Sequence, residues 1–434
     1  MSQRKGLIAI AIVAILAAAC SSSAASPTTA PAVIASPAVQ PPVTQAPASQ
    51  AAASQAPASA PASTVPLAKG GPGEGELDLV AWVGYVEDGS NVKGYDWVHP
   101  FVKANPDCAK VKVKIADTSD EMFTLMSQGH GTYDGVSASG DASNRLIDRG
   151  EVAAIDTTVI PNFNDLAPFL QSPANNTVGG VHYGVSHGWG GNTLMYNTKK
   201  FSSPPTSWDV VFDPAKMAAY KGKVTAYEAA IYIADAALYL KTHQPGLGIT
   251  DPYELTQPQF DAAIELLKAQ RPFIGQAWKT YTNEIDNFTS GTSTIGTSWQ
   301  YQTNTLKAAG QPVEAVVPSE GMTGWSDTWM LSSYAKHPNC MLKWMAWMVT
   351  PEVQAQVAEY FGEAPANPKA CDILNKGYGS YTIPKFCEAY HVTDEAFYKA
   401  ISFWKTPIAD CGDARGKTCV PYDQWVSAFT KVRG

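Results

Sequence analysis

From Leu77 onward, short apolar runs alternate with amphipathic segments. Leu77–Val86 (LDLVAWVGYV) begins as a strand and carries Trp82 and Tyr85 near its end. Val98–Asn105 reads as a short helix, because Pro100 is tolerated only in a first turn. Val111–Ile115 is a strand. Thr118-Ser119-Asp120-Glu121 offers a capping box ahead of the apolar stripe Met122, Phe123, Leu125 and Met126. Tyr133–Ser139 is a third strand and Ala142–Arg149 a short helix. Strand and helix in alternation predict a parallel α/β sheet. Ligands in such sheets sit beyond the carboxyl ends of strands. Trp82, Tyr85, Ser139 and Asp141 all fall there.

Val181–Tyr196 reads as two extended pieces around Gly188-Trp189-Gly190-Gly191. Helices follow near Ala229–Lys241 and after Thr256-Gln257-Pro258-Gln259, the second with Phe260, Ile264 and Leu267 on one face. Thr294–Ser298 is a strand ending at Trp299. Pro338 opens a helix whose stripe Met341, Trp344, Met345, Met348 has the spacing of a core face. Thr350-Pro351 starts another, and the tail ends in a helix near Tyr422–Val432.

Two stretches carry candidate chemistry. In Gly324–Met330, Trp325 and Asp327 lie two apart, so an extended backbone turns both to one side. An indole face beside a carboxylate suits an organic cation; the plainer reading is core packing and a turn. Gly184-Val185-Ser186-His187-Gly188 matches G-x-S-x-G, the nucleophile elbow of α/β-hydrolases. That elbow needs a helix directly after its serine, and a strand-like run follows here instead. A serine hydrolase using Ser186 is the least favoured reading, and the chain is expected not to be an enzyme.

Composition adds the setting. The 434 residues are 45% hydrophobic and 16% charged, with a net charge of −8. Residues 1–70 contain Arg4, Lys5 and Lys69 and no acid, so the remainder is distinctly acidic. That argues against nucleic acid as a partner. Arg4 and Lys5, the apolar run Leu7–Leu16 and the small residues Ala17-Ala18-Ala19 before Cys20 predict a secretory signal over residues 1–19. Residues 20–74 are rich in Ala, Ser and Pro and read as a disordered tether. Six further cysteines in an exported chain suggest three disulfides. Cys411 with Cys419 is the expected local pair and Cys371 with Cys387 the next, which leaves Cys108 with Cys340. No cysteine or histidine spacing suggests zinc, so neither a metal nor a cofactor is expected.

An ordered set of stretches resembles the polyamine-type (spermidine/putrescine-type) substrate-binding proteins of bacterial ABC importers. They are AWVGYV (81–86), SDEMFTLMSQG (119–129), YDGVSAS (133–139), YGVSHGWGGNTLMYN (183–197), PPTSWDVVFDP (204–214) and YKGKV (220–224). TSWQ (297–300), VVPSEG (316–321), GWSD (324–327), TPEVQAQVAEYFG (350–362) and APANP (364–368) continue the order. The residues before Cys20 also resemble a bacterial lipobox, with Leu16 four positions before the cysteine where the motif has leucine at three. That resemblance implies cleavage before Cys20 and a lipid on its sulfur.

The family resemblance implies an α/β fold, the type II periplasmic-binding-protein clamshell of two lobes, each a mixed, mainly parallel sheet flanked by helices. Lobe one would comprise 75–187 and 320–434, and lobe two 188–319, with the ligand between them. It implies a monomer, anchored outside the cell or in the periplasm, that delivers a small cationic or amine solute to membrane permease subunits. Trp82, Tyr85, Ser139, Trp299, Trp325 and Asp327 match positions that line the family's cleft. Asp141, Trp189 and Glu363 lie beside them. Glu363 and Asp141 stand where the family often has aromatics. Ala229 and Tyr232 stand where spermidine binders have acids, with only Glu228 near, and Lys405 would repel the far end of a diamine. These departures keep an amino-acid-like solute or a sugar as alternative ligands.

Overall fold

A computed structural model describes residues 67–377 and 385–434. The signal segment, Cys20 and most of the predicted tether lie outside the described residues. Strands β1 (Glu76–Ala81), β2 (Lys110–Ile115) and β3 (Gly135–Ala138) are parallel, with β1 between the other two. Helices α1 (Val98–Ala104), α2 (Ser119–Gln128) and α3 (Gly140–Asp148) connect and follow them. On the edge strand β2, Lys110, Lys112 and Lys114 point outward, charges that discourage edge-to-edge pairing. The cap of α2 differs slightly from the capping box. Thr118 Oγ1 accepts from Glu121 N–H at 3.1 Å, but the Glu121 carboxylate reaches back one residue further, to Asp117 N–H at 2.9 Å.

After the hairpin β4 (Thr177–Val178) and β5 (Val181–His182), strand β6 runs unbroken from Gly184 to Asn197. The glycines around Trp189 do not split it in two, because glycine tolerates extended backbone and the missing side chains make room for neighbours. β7 (Val224–Thr225), β8 (Ile295–Trp299), β9 (Val313–Val316) and β10 (Met322–Leu331) follow, with β11 (Ala364–Pro365) and β12 (Ile401–Phe403) as short additions. The ten-stranded sheet has the order β2-β1-β3-β10-β6-β8-β7. Its two halves meet in β6, which pairs through Gly184–Gly191 with β10 and through Asn192–Asn197 with β8 and β9. Asp327 faces Gly188 and Thr328 faces Ser186, so His187 is a bulge that bends β6 just before it passes between the halves.

All ten residues of β10 are buried. The helix Pro338–Met348 packs its Met341, Trp344, Met345 and Met348 stripe into the core, with Trp344 edge-on to Trp329 at 5.8 Å. The three disulfides are Cys108–Cys340, Cys371–Cys387 and Cys411–Cys419, the pairs expected from spacing. The tail after β12 touches both halves. Thr406 Oγ1 donates to the Asp141 carbonyl at 2.9 Å, and the Arg145 guanidinium lies 4.6 Å from the Tyr422 ring. Val420 N–H bonds to the Leu255 carbonyl at 2.8 Å, Trp425 packs on Phe260, and Arg433 pairs with Glu228 at 2.5 Å. Residues 405–421 are short on periodic apolar positions, which is why pattern alone does not assign the tail to a lobe.

Candidate functional site

Tyr85, Asp327 and Glu363 converge from three parts of the chain: the loop after β1, the middle of β10 and the turn before β11. The Tyr85 hydroxyl is 2.7 Å from Asp327 Oδ2 and 2.7 Å from Glu363 Oε2. Ser139, at the N-cap of α3, donates from Oγ to Asp327 Oδ1 at 2.5 Å. All four side chains are buried. Burial pushes the Asp327 carboxyl up to about 6 and the Glu363 carboxyl well above the ordinary range. No lysine or arginine among the described residues holds either carboxyl.

His187, the bulge residue, lies edge-on to Tyr85 at 4.4 Å, with Nε2 hydrogen-bonded to Ser137 Oγ at 2.9 Å. Its Nδ1 is 3.8 Å from Glu363 Oε1, too far for a hydrogen bond. Burial lowers its pKa to about 4, so the imidazole is neutral near pH 7 and this approach is not an ion pair.

An aromatic wall runs on from this cluster. Phe361 stacks on Tyr85 at 4.1 Å, and Trp325 meets both Phe361 and Trp299 edge-on at 6.2 Å. Tyr227 lies 5.7 Å from Trp299 and stacks at 5.9 Å on Trp404. Trp299 is anchored by its Nε1 donating to Asn192 Oδ1 at 3.0 Å. Asn192 Nδ2 donates to Thr323 Oγ1 at 2.7 Å, and Thr323 Oγ1 to Asp235 Oδ1 at 3.1 Å. The indole N–H groups of Trp325 and Trp404 and Glu363 Oε1 are buried without a partner among the described residues. Unpaired polar atoms along an apolar wall are compatible with a small-molecule site.

The glycines of β6 make this packing possible. A Cβ on Gly188 would fall 2.0 Å from the Glu363 carboxyl carbon, and one on Gly190 would fall 2.8 Å from the Trp325 ring. Gly188→Ala is therefore expected to push Glu363 off Tyr85, at a stability cost of about 1–3 kcal/mol by overpacking. A double-mutant cycle with Glu363→Ala, read by denaturant midpoint, checks this. Most of the penalty should vanish when Glu363 is already truncated.

Other candidates are placed differently. Trp189 points to the opposite face of β6, edge-on to Phe169 at 5.2 Å and near Phe397, in the core rather than with Asp327. Trp82 is half-buried with its indole N–H unpartnered. Asp141 is buried and accepts from Ser119 Oγ at 2.8 Å in place of joining the cluster. Its charge and that of Asp327 add to burial in raising the Tyr227 hydroxyl. Lys405 does not stand free against a ligand, because it pairs with Glu254 and, at 2.8 Å, with Asp251. Ser186 sits inside continuous strand, fully buried, accepting from Asn176 Nδ2 at 3.2 Å. The elbow geometry is absent there, and the motif's glycines serve Thr328 and Glu363.

Asp78, Asp134 and His337 bring ligand-type atoms within 4.8 Å of one another. The Asp134 carboxylate is already occupied by the N–H groups of Asp78, Lys336 and His337 and by His337 Nδ1, and so anchors the start of the helix Pro338–Met348. Sequence reading missed Phe361, Tyr227, His187, Trp404, Asn192 and Asp235. Phe361 had a signal, lying two residues before Glu363.

Residues 96–379 match the family model of the bacterial extracellular solute-binding proteins. The chain belongs to that family. It is 26% identical over 314 residues to the spermidine/putrescine-binding periplasmic protein of Escherichia coli (strain K12), an alignment covering 69% of this chain and 84% of the relative. Among solved structures it resembles the Tp0655 (TpPotD) lipoprotein of Treponema pallidum, with TM-score 0.63, 16% identity, and 82% and 99% of the two chains covered. It also resembles the Atu4243–GABA receptor, with TM-score 0.61, 19% identity, and 83% and 98% covered. The fold is thus the two-lobed, type II clamshell of mixed α/β sheet, and the family is one of substrate-binding transport components rather than enzymes. No helix among the described residues is long and apolar enough to cross a membrane.

Proposed function

We propose that this protein captures a small organic cation between its lobes and hands it to the permease of an ABC importer while tethered to the membrane through a lipid on Cys20. The single observation that carries the ligand class is Asp327. It is a buried carboxylate on an aromatic wall, with no lysine or arginine among the described residues to neutralise it. The indole of Trp325 and the ring of Phe361 supply the face for the cation, and Asp327 with Glu363 its hydrogen-bond acceptors. The relative that binds spermidine and putrescine supports this class.

Lobe one is taken as 75–187 with 320–434, and lobe two as 188–319. The bent β6 and the link at 317–321 would act as the hinge on which the cleft closes over its ligand. The signal-like N-terminus and the lipobox-like residues before Cys20 support export and anchoring.

A second reading, an amine that bears its own carboxylate, is favoured by the far end of the wall. Glu228 there is committed to Arg433 and Asp235 to Thr323, leaving indoles and a phenol to face the ligand. Thermal unfolding with putrescine, spermidine, γ-aminobutyrate and neutral saccharides tests both readings, because a ligand that binds the native state raises Tm by mass action. A rise of several degrees with an amine and none with saccharides is expected. Stabilisation by saccharides alone would overturn the cation reading.

A further inference from the structure

Both contacts of the Tyr85 hydroxyl, at 2.7 Å to Asp327 Oδ2 and 2.7 Å to Glu363 Oε2, are hydrogen-bond distances. A phenol carries one hydrogen. If both carboxyls were ionised, one of these oxygen–oxygen contacts would have no hydrogen in it and two buried anions would face each other uncompensated. A proton on one carboxyl removes both difficulties. That carboxyl donates to the phenol oxygen, and the phenol donates to the other carboxylate.

The hydrogen bonds say which carboxyl holds the proton. Asp327 accepts from Ser139 on Oδ1 and can accept from Tyr85 on Oδ2, which suits the ionised form. Glu363 has Oε1 without any donor and only Tyr85 on Oε2, which suits the neutral acid. The titratable groups around Glu363 do not change this. His187 on β6 is neutral, Tyr85 and Asp327 are the pair's other members, and Tyr390 and Glu359 share its field without supplying positive charge.

We propose that the ligand-free cleft stores one proton on the Glu363–Tyr85–Asp327 group, and that a cationic head displaces it, so that capture exchanges a proton for the ligand. This rests on the reading of Asp327 as the cation's partner. The ligand's N–H groups take over the acceptors on both carboxylates, the Glu363 O–H bond breaks, and its proton passes to the solvent. A neutral sugar cannot make this exchange, because it would leave either the proton in place or two naked carboxylates. Glu363 thereby becomes a specificity residue: it makes the site selective for charge and makes affinity rise with pH. Free protein binds one more proton than the complex, so the dissociation constant should fall as pH rises through the range where only the free form is protonated.

Calorimetric titration of the ligand-free protein with putrescine, in buffers of differing ionisation enthalpy, reads the exchange directly. Putrescine stays fully charged through this range. Above the window near pH 6 in which Asp327 itself titrates, up to one proton should be released per molecule bound, and affinity should rise with pH by at most about tenfold per pH unit. In Glu363→Gln putrescine should bind more weakly, because the site loses a carboxylate, and above the window in which Asp327 titrates both the proton release and the pH dependence should be lost. Binding by the parent without proton release, or equal release by the variant, would overturn the exchange. A difference infrared spectrum of the two ligand-free proteins should show a protonated-carboxyl C=O band in the parent that the variant lacks. If putrescine fails to bind, the cation reading falls and this band alone decides whether the pair holds a proton; its absence overturns the proposal in either case.

Discussion

Asp327→Asn is expected to weaken capture of a cationic ligand by about a hundredfold or more, corresponding to ~3 kcal/mol. The substitution keeps the shape of the side chain and an oxygen able to accept from Ser139 or Tyr85, but removes the charge. With Asp327 3% exposed, the cation's partner sits away from water, so a ligand that gives up its hydration gets one ionic contact fewer in return. Isothermal titration with putrescine, or the ligand-induced rise in Tm, measures the loss; unchanged binding would mean that the ligand engages another group.

The ligand-free variant should be no less stable than the parent. The Asp327 carboxyl is raised by burial from 3.8 to about 6, so the folded protein binds its proton more tightly than the unfolded chain does. Stability from this group is therefore present at low pH and lost as pH rises through that window, the reverse of a salt-bridged aspartate. Asparagine removes this slope. A site that costs stability when free and repays it on binding is the arrangement expected of a cleft built for its ligand rather than for the fold. Asp141→Asn, by contrast, should leave binding nearly unchanged, since Asp141 is engaged by Ser119 outside the cluster.

How far the sequence disclosed this site depended on whether local pattern or tertiary contact decided each residue. Trp325 and Asp327 were legible because a strand turns alternate residues to one side, and β10 is a regular strand there. Ser139 was legible as the end of a strand opening onto a helix. The helix Gln257–Gln270 began where its Thr-Gln-Pro-Gln signature said, with the Gln259 side chain accepting from the Thr256 N–H at 2.8 Å.

Trp189 stands beside the cleft candidates in sequence, yet its ring lies in the core against Phe169. The face it takes is set by the register of β6 against β10, which no local signal reports. His187 was hidden inside a motif that pointed to its neighbour Ser186, and only the bulge brings its ring against Tyr85. Lys405 looked repulsive because its partners, Asp251 and Glu254, lie about 150 residues earlier in the chain and meet it only through the docking of the tail. Tyr227 and Trp404, 5.9 Å apart, are likewise joined only by that docking.

Removing the Cys108–Cys340 bridge by the double substitution Cys108→Ala and Cys340→Ala is expected to produce the largest loss of stability among the three disulfides. The bridge spans 232 residues, against 16 for Cys371–Cys387 and 8 for Cys411–Cys419. Loop-closure entropy in the unfolded chain puts the three at about 5, 3 and 2.5 kcal/mol respectively. Both sulfurs of the long bridge are fully buried, so truncation also leaves a small cavity. Around it, Glu74 accepts from the N–H groups of Asn339 and Cys340 at 3.0 Å, and Lys343 pairs with Asp107 at 2.5 Å. These non-covalent ties hold the same helix against the same turn and should let the variant fold. Urea unfolding should show the midpoint falling in the order of loop length, while putrescine affinity measured well below that midpoint stays close to the parent's, because none of the three bridges touches the Asp327 cluster. If the long bridge costs no more than the short ones, the ion pair and the Glu74 cap, rather than the covalent link, fix the helix, and the unfolded chain already keeps its two ends together.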